Sequence, residues 1–353
     1  MTSENTPNEN RSNESKSNED VLTEALPSDD PATIDRQNPE GEIAARAHAH
    51  RNWGRWGEDD VLGTLNFIDD DKRRAAAQLV RSGRTVSLSL PFDMDGPQKG
   101  WRRRTNPVHT MLDTGTDAER DNQGFPHGLG GADDVIAMPL QCSTQWDGLG
   151  HIFDHGKAWN GRPAGSVVTS DGDLVTGIEH TAASFVSRGV LLDVGRHLEP
   201  ETGQLPDAFA ITPEHLDATA RAQGIEIARG DILVIRTGQL ARAKSEGWGD
   251  YAGGPAPGLS LTCAGWIHRT EVAAVATDTW GFEVRPNEFD VPAFQPLHQV
   301  SIPNIGLTIG EMWDLDELAE LCAAEARWEF MLVAPSLPIT GAVGTPVNPL
   351  AIL

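Results

Sequence analysis

From residue 189 onward, short apolar runs bounded by turn residues alternate with capped amphipathic stretches, and this limits the possible folds more than any other feature. GVLLDV (189–194), GDILVIRTG (230–238), VAAVATDT (272–279) and WEFMLVAPSLPI (328–339) are read as strands. Between them, TPEHLDATARAQG (212–224) predicts a helix with Thr212 as N-cap, Pro213 at its first position and Gly224 as its stop. SLTCAGWIHRT (260–270) and GEMWDLDELAELCAAEA (310–326) read as two more helices. Earlier in the chain, DDDKRRAAAQLVRSG (69–83) has acids in its first turn and Gly83 as its stop, and RTVSLSLPF (84–92) alternates like a strand. Residues 94–133 read as an irregular loop, and a loop of that length in a compact protein is functional or mobile. Mixed strands and helices with neither G-x-G-x-x-G nor a Walker loop predict an α/β domain that does not bind nucleotides.

Residues 1–42 are rich in Asn, Ser, Glu, Asp and Pro and contain no aromatic residue, a composition expected of a disordered polar tail ahead of a domain at 43–353. The formal net charge of −24 repels nucleic acid and anionic membrane surfaces, so neither is an expected partner. No apolar run approaches the length of a membrane span, and no signal peptide is visible, so the cytoplasm is the expected compartment. The three cysteines, Cys142, Cys263 and Cys322, are far apart and form no C-x-x-C, which argues against a zinc knuckle or a disulfide framework.

The chemistry is concentrated in QCSTQWDGLGHIFDHGKAWNG, residues 141–161. In an extended segment, Gln141, Ser143, Gln145 and Asp147 share one face, and the glycines at 148 and 150 let His151 turn toward it. Such a face needs partners when buried, either a metal ion or a hydrogen-bond network. In LHQVSIPNIGLTIGEMWDLDELA, His298 precedes a strand-like segment and Glu311 stands where the last helix is expected to begin. Asp147, His298 and Glu311 together supply two carboxylates and one imidazole, a minimal set for a catalytic metal with open positions. An acid in a first helical turn and a buried polar loop are the ordinary structural alternatives.

These residues resemble the bacterial cyclase-like metal hydrolases, the family of kynurenine formamidase and isatin hydrolase, whose central motif is H-x-G-T-H-x-D-x-P-x-H. The run from Gln141 to His151 matches at Thr144, Asp147 and His151, with glutamine at both early histidine positions, Ser143 for glycine and Leu149 for proline. His298, Gly306, Glu311 and Leu315 match a downstream pattern, and GDILVIRTG, ATDTWG and PITGAVGTPVNPLAIL are further echoes across residues 45–353. The resemblance implies a single domain of swivelling β/β/α type, a mixed sheet or barrel-like core packed by helices. It also implies a hydrolase acting on the C–N bond of a small amide or cyclic amide, or on a lactone. Asp147, His298 and Glu311 would then be metal ligands, and His151 the general acid/base. One divalent ion, Mn²⁺ or Zn²⁺, is expected, because Gln141 and Gln145 cannot supply imidazole nitrogens.

In that reading the Gln141 and Gln145 amides serve as donors to a developing oxyanion. Trp146, Trp53, Trp56 and His109 are candidates for contacts with a small-molecule substrate, and Arg102, Arg103 and Arg104 could attract an anionic one. A lyase or cyclase on the same fold, or a binding protein with a decayed metal site, are the alternatives. Family members form symmetric assemblies, so a homodimer or homotetramer is expected.

Overall fold

The apolar runs read from the sequence form the middle of one nine-stranded mixed sheet in the computed structural model, which describes residues 26–353. Val186–Asp193, Ile232–Arg236, Ala274–Thr277 and Thr308–Glu311 lie side by side and parallel. Ile232 through Arg236 are all buried, as expected for strands covered on both faces. Antiparallel strands complete both sides. Glu329–Val333, Leu350–Ile352 and Thr85–Ser87 extend the Val186–Asp193 edge, whereas Gln145–Asp147 and Gly344–Pro346 extend the Thr308–Glu311 edge. The sheet curls into a half-barrel packed by helices, the expected mixed α/β architecture.

Helices Pro213–Ala222 and Cys263–Thr270 cover one face, burying Leu216, Trp266 and Ile267 against Val190, Leu233 and Val275. Thr212 caps the first of these as read from the sequence, with Pro213 at the first position. Helix Asp316–Glu325 lies over the other face, where Leu318 and Cys322 join Trp146, Phe185, Phe330 and Trp313. Helix Asp70–Ala77 likewise forms where its acidic first turn placed it, capped by Asp69.

Three expectations need correction. Glu311 ends a strand and does not begin a helix; the helix starts at Asp316, after Met312 takes a left-handed backbone (φ +58°). His298 lies in a short helix, Pro296–Val300, followed by a π-helical turn, Ser301–Ile305, where a strand-like segment was expected. Residues 94–133 contain much of an antiparallel hairpin, Val108–Asp113 with Asp133–Ala137, whose side chains are almost all exposed.

The tail boundary also shifts. Residues 1–25 lie outside the described residues, but the chain from 26 to 42 is packed on the domain. Asp30 caps a short 3₁₀ turn, Ile34 enters the core, and Arg36 pairs with Asp290. Helix Pro39–Ala49 then buries Ile43 and Ala47. Composition over 42 residues averaged a polar leader with a polar strap that is tied down by a few specific contacts.

Candidate metal centre

Strand register brings the first part of the site together. Gln145 pairs with Glu311, and Asp147 with Ile309, so Gln145, Asp147 and Glu311 project from the same face of two adjacent strands. Gly310, between Ile309 and Glu311, pairs with Trp146 and faces the other side of the sheet, where the core leaves no room for a side chain. A Cβ there would stand 2.5 Å from Ala276 Cβ and 2.8 Å from Trp313 Nε1. His298 reaches the group from its short helix, and its Nε2 lies 3.2 Å from Glu311 Oε1. Ligand atoms of Asp147, His298 and Glu311 all lie within 4.8 Å of one another, and all three residues are buried.

Gln145 ties the two carboxylates together, its Nε2–H₂ donating to Asp147 Oδ1 at 3.0 Å and to Glu311 Oε2 at 3.1 Å. That amide nitrogen is fully occupied, so the expected donor role toward an oxyanion does not fit it. Its carbonyl Oε1 is buried without a hydrogen-bond partner. Gln141 differs, because its Nε2 is the buried atom without a partner, close enough to Gly344 that a Cβ there would stand 2.7 Å away. His151 Nε2 stands 3.8 Å from Asp147 Oδ1.

A residue with no signal in the sequence motif completes the group. Glu283 accepts from the backbone N–H groups of Leu297 and His298, each at 3.0 Å, and its Oε1 lies 2.5 Å from His298 Nδ1. One carboxylate thus caps the helix start announced by Pro296 and fixes which His298 nitrogen faces Glu311. Phe282 and Gln295, the neighbours of Glu283 and Pro296, both hold left-handed backbones (φ +60° and +48°). Non-glycine residues rarely take that conformation, and such strain persists where surrounding structure imposes it. The only hint in the sequence was Pro296, whose helix start would require an acceptor for its free N–H groups.

Burial dominates the electrostatics. It pushes the His298 pKa down, but hydrogen bonds to Glu283 and Glu311 outweigh it and raise the value to about 10. Burial and the nearby Asp147 charge raise Glu311 to about 7, against the pull of His298. His151 is lowered, mainly by burial and only partly offset by Asp147, which leaves its ring neutral near pH 7. Three carboxylates surround a single imidazole. This excess of buried negative charge, together with the unsatisfied Gln145 Oε1, is the environment a hard or borderline divalent cation neutralises. The donor set therefore fits a metal ion.

The aromatic candidates do not gather here. Trp146 points to the opposite face of its strand, fully buried, stacked on Phe185 at 4.6 Å and donating to the Ala334 carbonyl. The period-two alternation that puts Gln145 and Asp147 in the site necessarily turns Trp146 into the core. Trp53 donates to the Pro303 carbonyl, and Trp56 packs against Phe67 and Trp159, a separate cluster. His109 is exposed on the hairpin, 2.8 Å from Asp134. Trp280, from the ATDTWG segment, packs near the site with its Nε1–H toward Gln98 Oε1 at 3.4 Å. Gln98 in turn donates to the Cys142 carbonyl.

The family model described as "Putative cyclase" matches residues 86–284. The crystal structure of a novel cyclase is 39% identical, with a TM-score of 0.77 over 87% of this chain and 99% of that one. The chain belongs to the cyclase family. Isatin hydrolase A from Labrenzia aggregata, bound to benzyl benzoate, shares the fold at 19% identity (TM-score 0.56, 78% of this chain and 94% of that one). Isatin hydrolase A from Ralstonia solanacearum does so at 15% (TM-score 0.55, 76% and 91%). No curated protein matches. Among the described residues of this cyclase-family protein, no helix is long and apolar enough to cross a membrane.

Proposed function

We propose that the protein is a metal-dependent hydrolase of a small amide, cyclic amide or lactone. The observation that carries this reading is the meeting of Asp147, His298 and Glu311 in one buried group with His151 beside it. Those three would hold a single Mn²⁺ or Zn²⁺ ion, with the unsatisfied Gln145 carbonyl as an additional oxygen donor. Such an ion supplies Lewis acidity, polarising a carbonyl and making a water molecule more acidic.

The rest falls to the protein. Glu283 holds the His298 ring in one orientation. His151, neutral at pH 7, takes a proton at Nε2 and returns it to the leaving group. The free Gln141 amide is a donor for the carbonyl oxygen that gains charge. Closure of the site by buried side chains excludes bulk water and strengthens each of these interactions.

The test is direct. Purified protein is expected to contain about one transition-metal ion per chain and to lose it on Asp147→Ala, along with turnover of a panel of formamides, cyclic imides and lactones. Full hydrolysis by chelator-treated protein would exclude the mechanism. A symmetric homodimer or homotetramer belongs to the same reading, supported by exposed Met111, Leu112, Val135 and Ile136 on the hairpin. Sedimentation of a monomer at micromolar concentration would refute it.

A further inference from the structure

Beside the metal centre lies a cavity of about 380 Å³ that shares two wall residues with it, Glu283 and Gln295. Glu283 orients His298, and Gln295 Nε2 stands 3.4 Å from His298 Nε2. The other walls combine aromatic rings with a cation. Trp280 and Phe294 line it, and behind them Trp101 meets Trp280 edge-on at 5.1 Å and tilts against Phe294 at 5.6 Å. Phe294 is 50% exposed, so this side of the cavity is left open.

The Arg285 guanidinium stands 5.9, 5.9 and 6.0 Å from the ring centres of Trp101, Trp280 and Phe294. The carboxylate acting on it is Glu283, already taken up by three N–H donors. Arg104 adds a second positive charge, 5.7 Å from the Trp280 ring. In a chain with 52 acidic and 28 basic residues, an arginine of a lined cavity left with so little compensation is out of keeping with the surface around it.

We propose that this cavity binds a flat organic anion, an aromatic carboxylate whose ring lies against Trp280 and Phe294 and whose acid group is held by Arg285. A guanidinium matches a carboxylate in shape and charge, and the aromatic walls suit a planar body. That such an anion is the substrate rests on the hydrolase reading. The binding site itself does not.

Calorimetric titration with 2-naphthoate and with neutral 2-naphthamide, equal in shape, tests the site. The acid is expected to bind the wild-type protein at least about 10-fold more tightly than the amide. Arg285→Gln is expected to abolish that preference and Arg285→Lys to keep part of it. Equal affinities, binding of neither compound, or a full preference in Arg285→Gln would overturn the proposal. The wild-type comparison decides the matter even if a variant fails to fold. Absence of metal-dependent turnover with the preference intact would count against the hydrolase reading alone.

Discussion

Glu283→Gln is the most discriminating perturbation of the site, because it changes one atom in a residue that would touch no ion. In the native arrangement Oε1 accepts from the His298 backbone N–H and lies 2.5 Å from Nδ1, and Oε2 accepts from Leu297. An amide keeps one acceptor oxygen and sets an NH₂ group against at least one N–H. A buried donor facing a donor costs about 1–3 kcal/mol. Two effects oppose each other here, since removing a buried negative charge also relieves a desolvation cost. The native carboxylate has three N–H donors around it, so the loss of acceptors outweighs the relief. The freed His298 ring can then turn, and loss of such an outer carboxylate weakens metal affinity by roughly 10–100-fold, or about 1.4–2.7 kcal/mol. Titration of chelator-treated protein with Mn²⁺, alongside urea denaturation, would separate the two consequences. A weakened metal constant in a folded protein is the expected result. A variant with unchanged affinity and turnover would refute the idea that Glu283 sets the His298 ligand.

Further expectations concern the site, the core and pH. Gln145→His places imidazole where the family motif has it and is expected to raise affinity for Zn²⁺ relative to Mg²⁺; competition titration with a zinc chelator checks this, and no gain would count against Gln145 facing the ion. Trp146→Ala is expected to cost about 3–5 kcal/mol in chemical denaturation, because it empties a core position stacked on Phe185. His50 is lowered from 6.5 to about 4 by burial and by the His268 charge, against the opposing pull of Asp29. The unfolded chain therefore binds a proton first as pH falls. Stability is fully present above pH 6.5 and is lost toward pH 4, by up to about 3 kcal/mol. Denaturation midpoints of wild type and His50→Gln between pH 7.5 and 5 check this, and a variant profile as steep as the wild type would refute it.

Much of the fold was legible because its central strands are buried on both faces, and burial writes itself into a sequence as continuous apolar runs such as ILVIR at 232–236. Thr212 was legible because a cap acts through nearest neighbours. Period-two alternation likewise identified Gln145 and Asp147 as companions, and the same rule, applied to Trp146, would have sent it to the core. What escaped was long-range. Glu283 caps a helix 14 residues away, a pairing that no local period encodes. Glu311 looked like a helix N-terminus because acids are favoured there, whereas the chain turns at the left-handed Met312 and the helix starts only at Asp316. The strap from 26 to 42 is polar by composition yet held by single contacts such as Arg36–Asp290, far apart in sequence.

The central claim is that Asp147, His298 and Glu311, drawn from distant parts of the chain, hold one cation. An anomalous-difference map from crystals grown with Mn²⁺, recorded at the manganese edge, measures this directly. The expected result is a single strong peak within about 2.0–2.6 Å of an oxygen or nitrogen of each of the three side chains. A map with no peak among them, or with its only peak on surface carboxylates, would contradict the account.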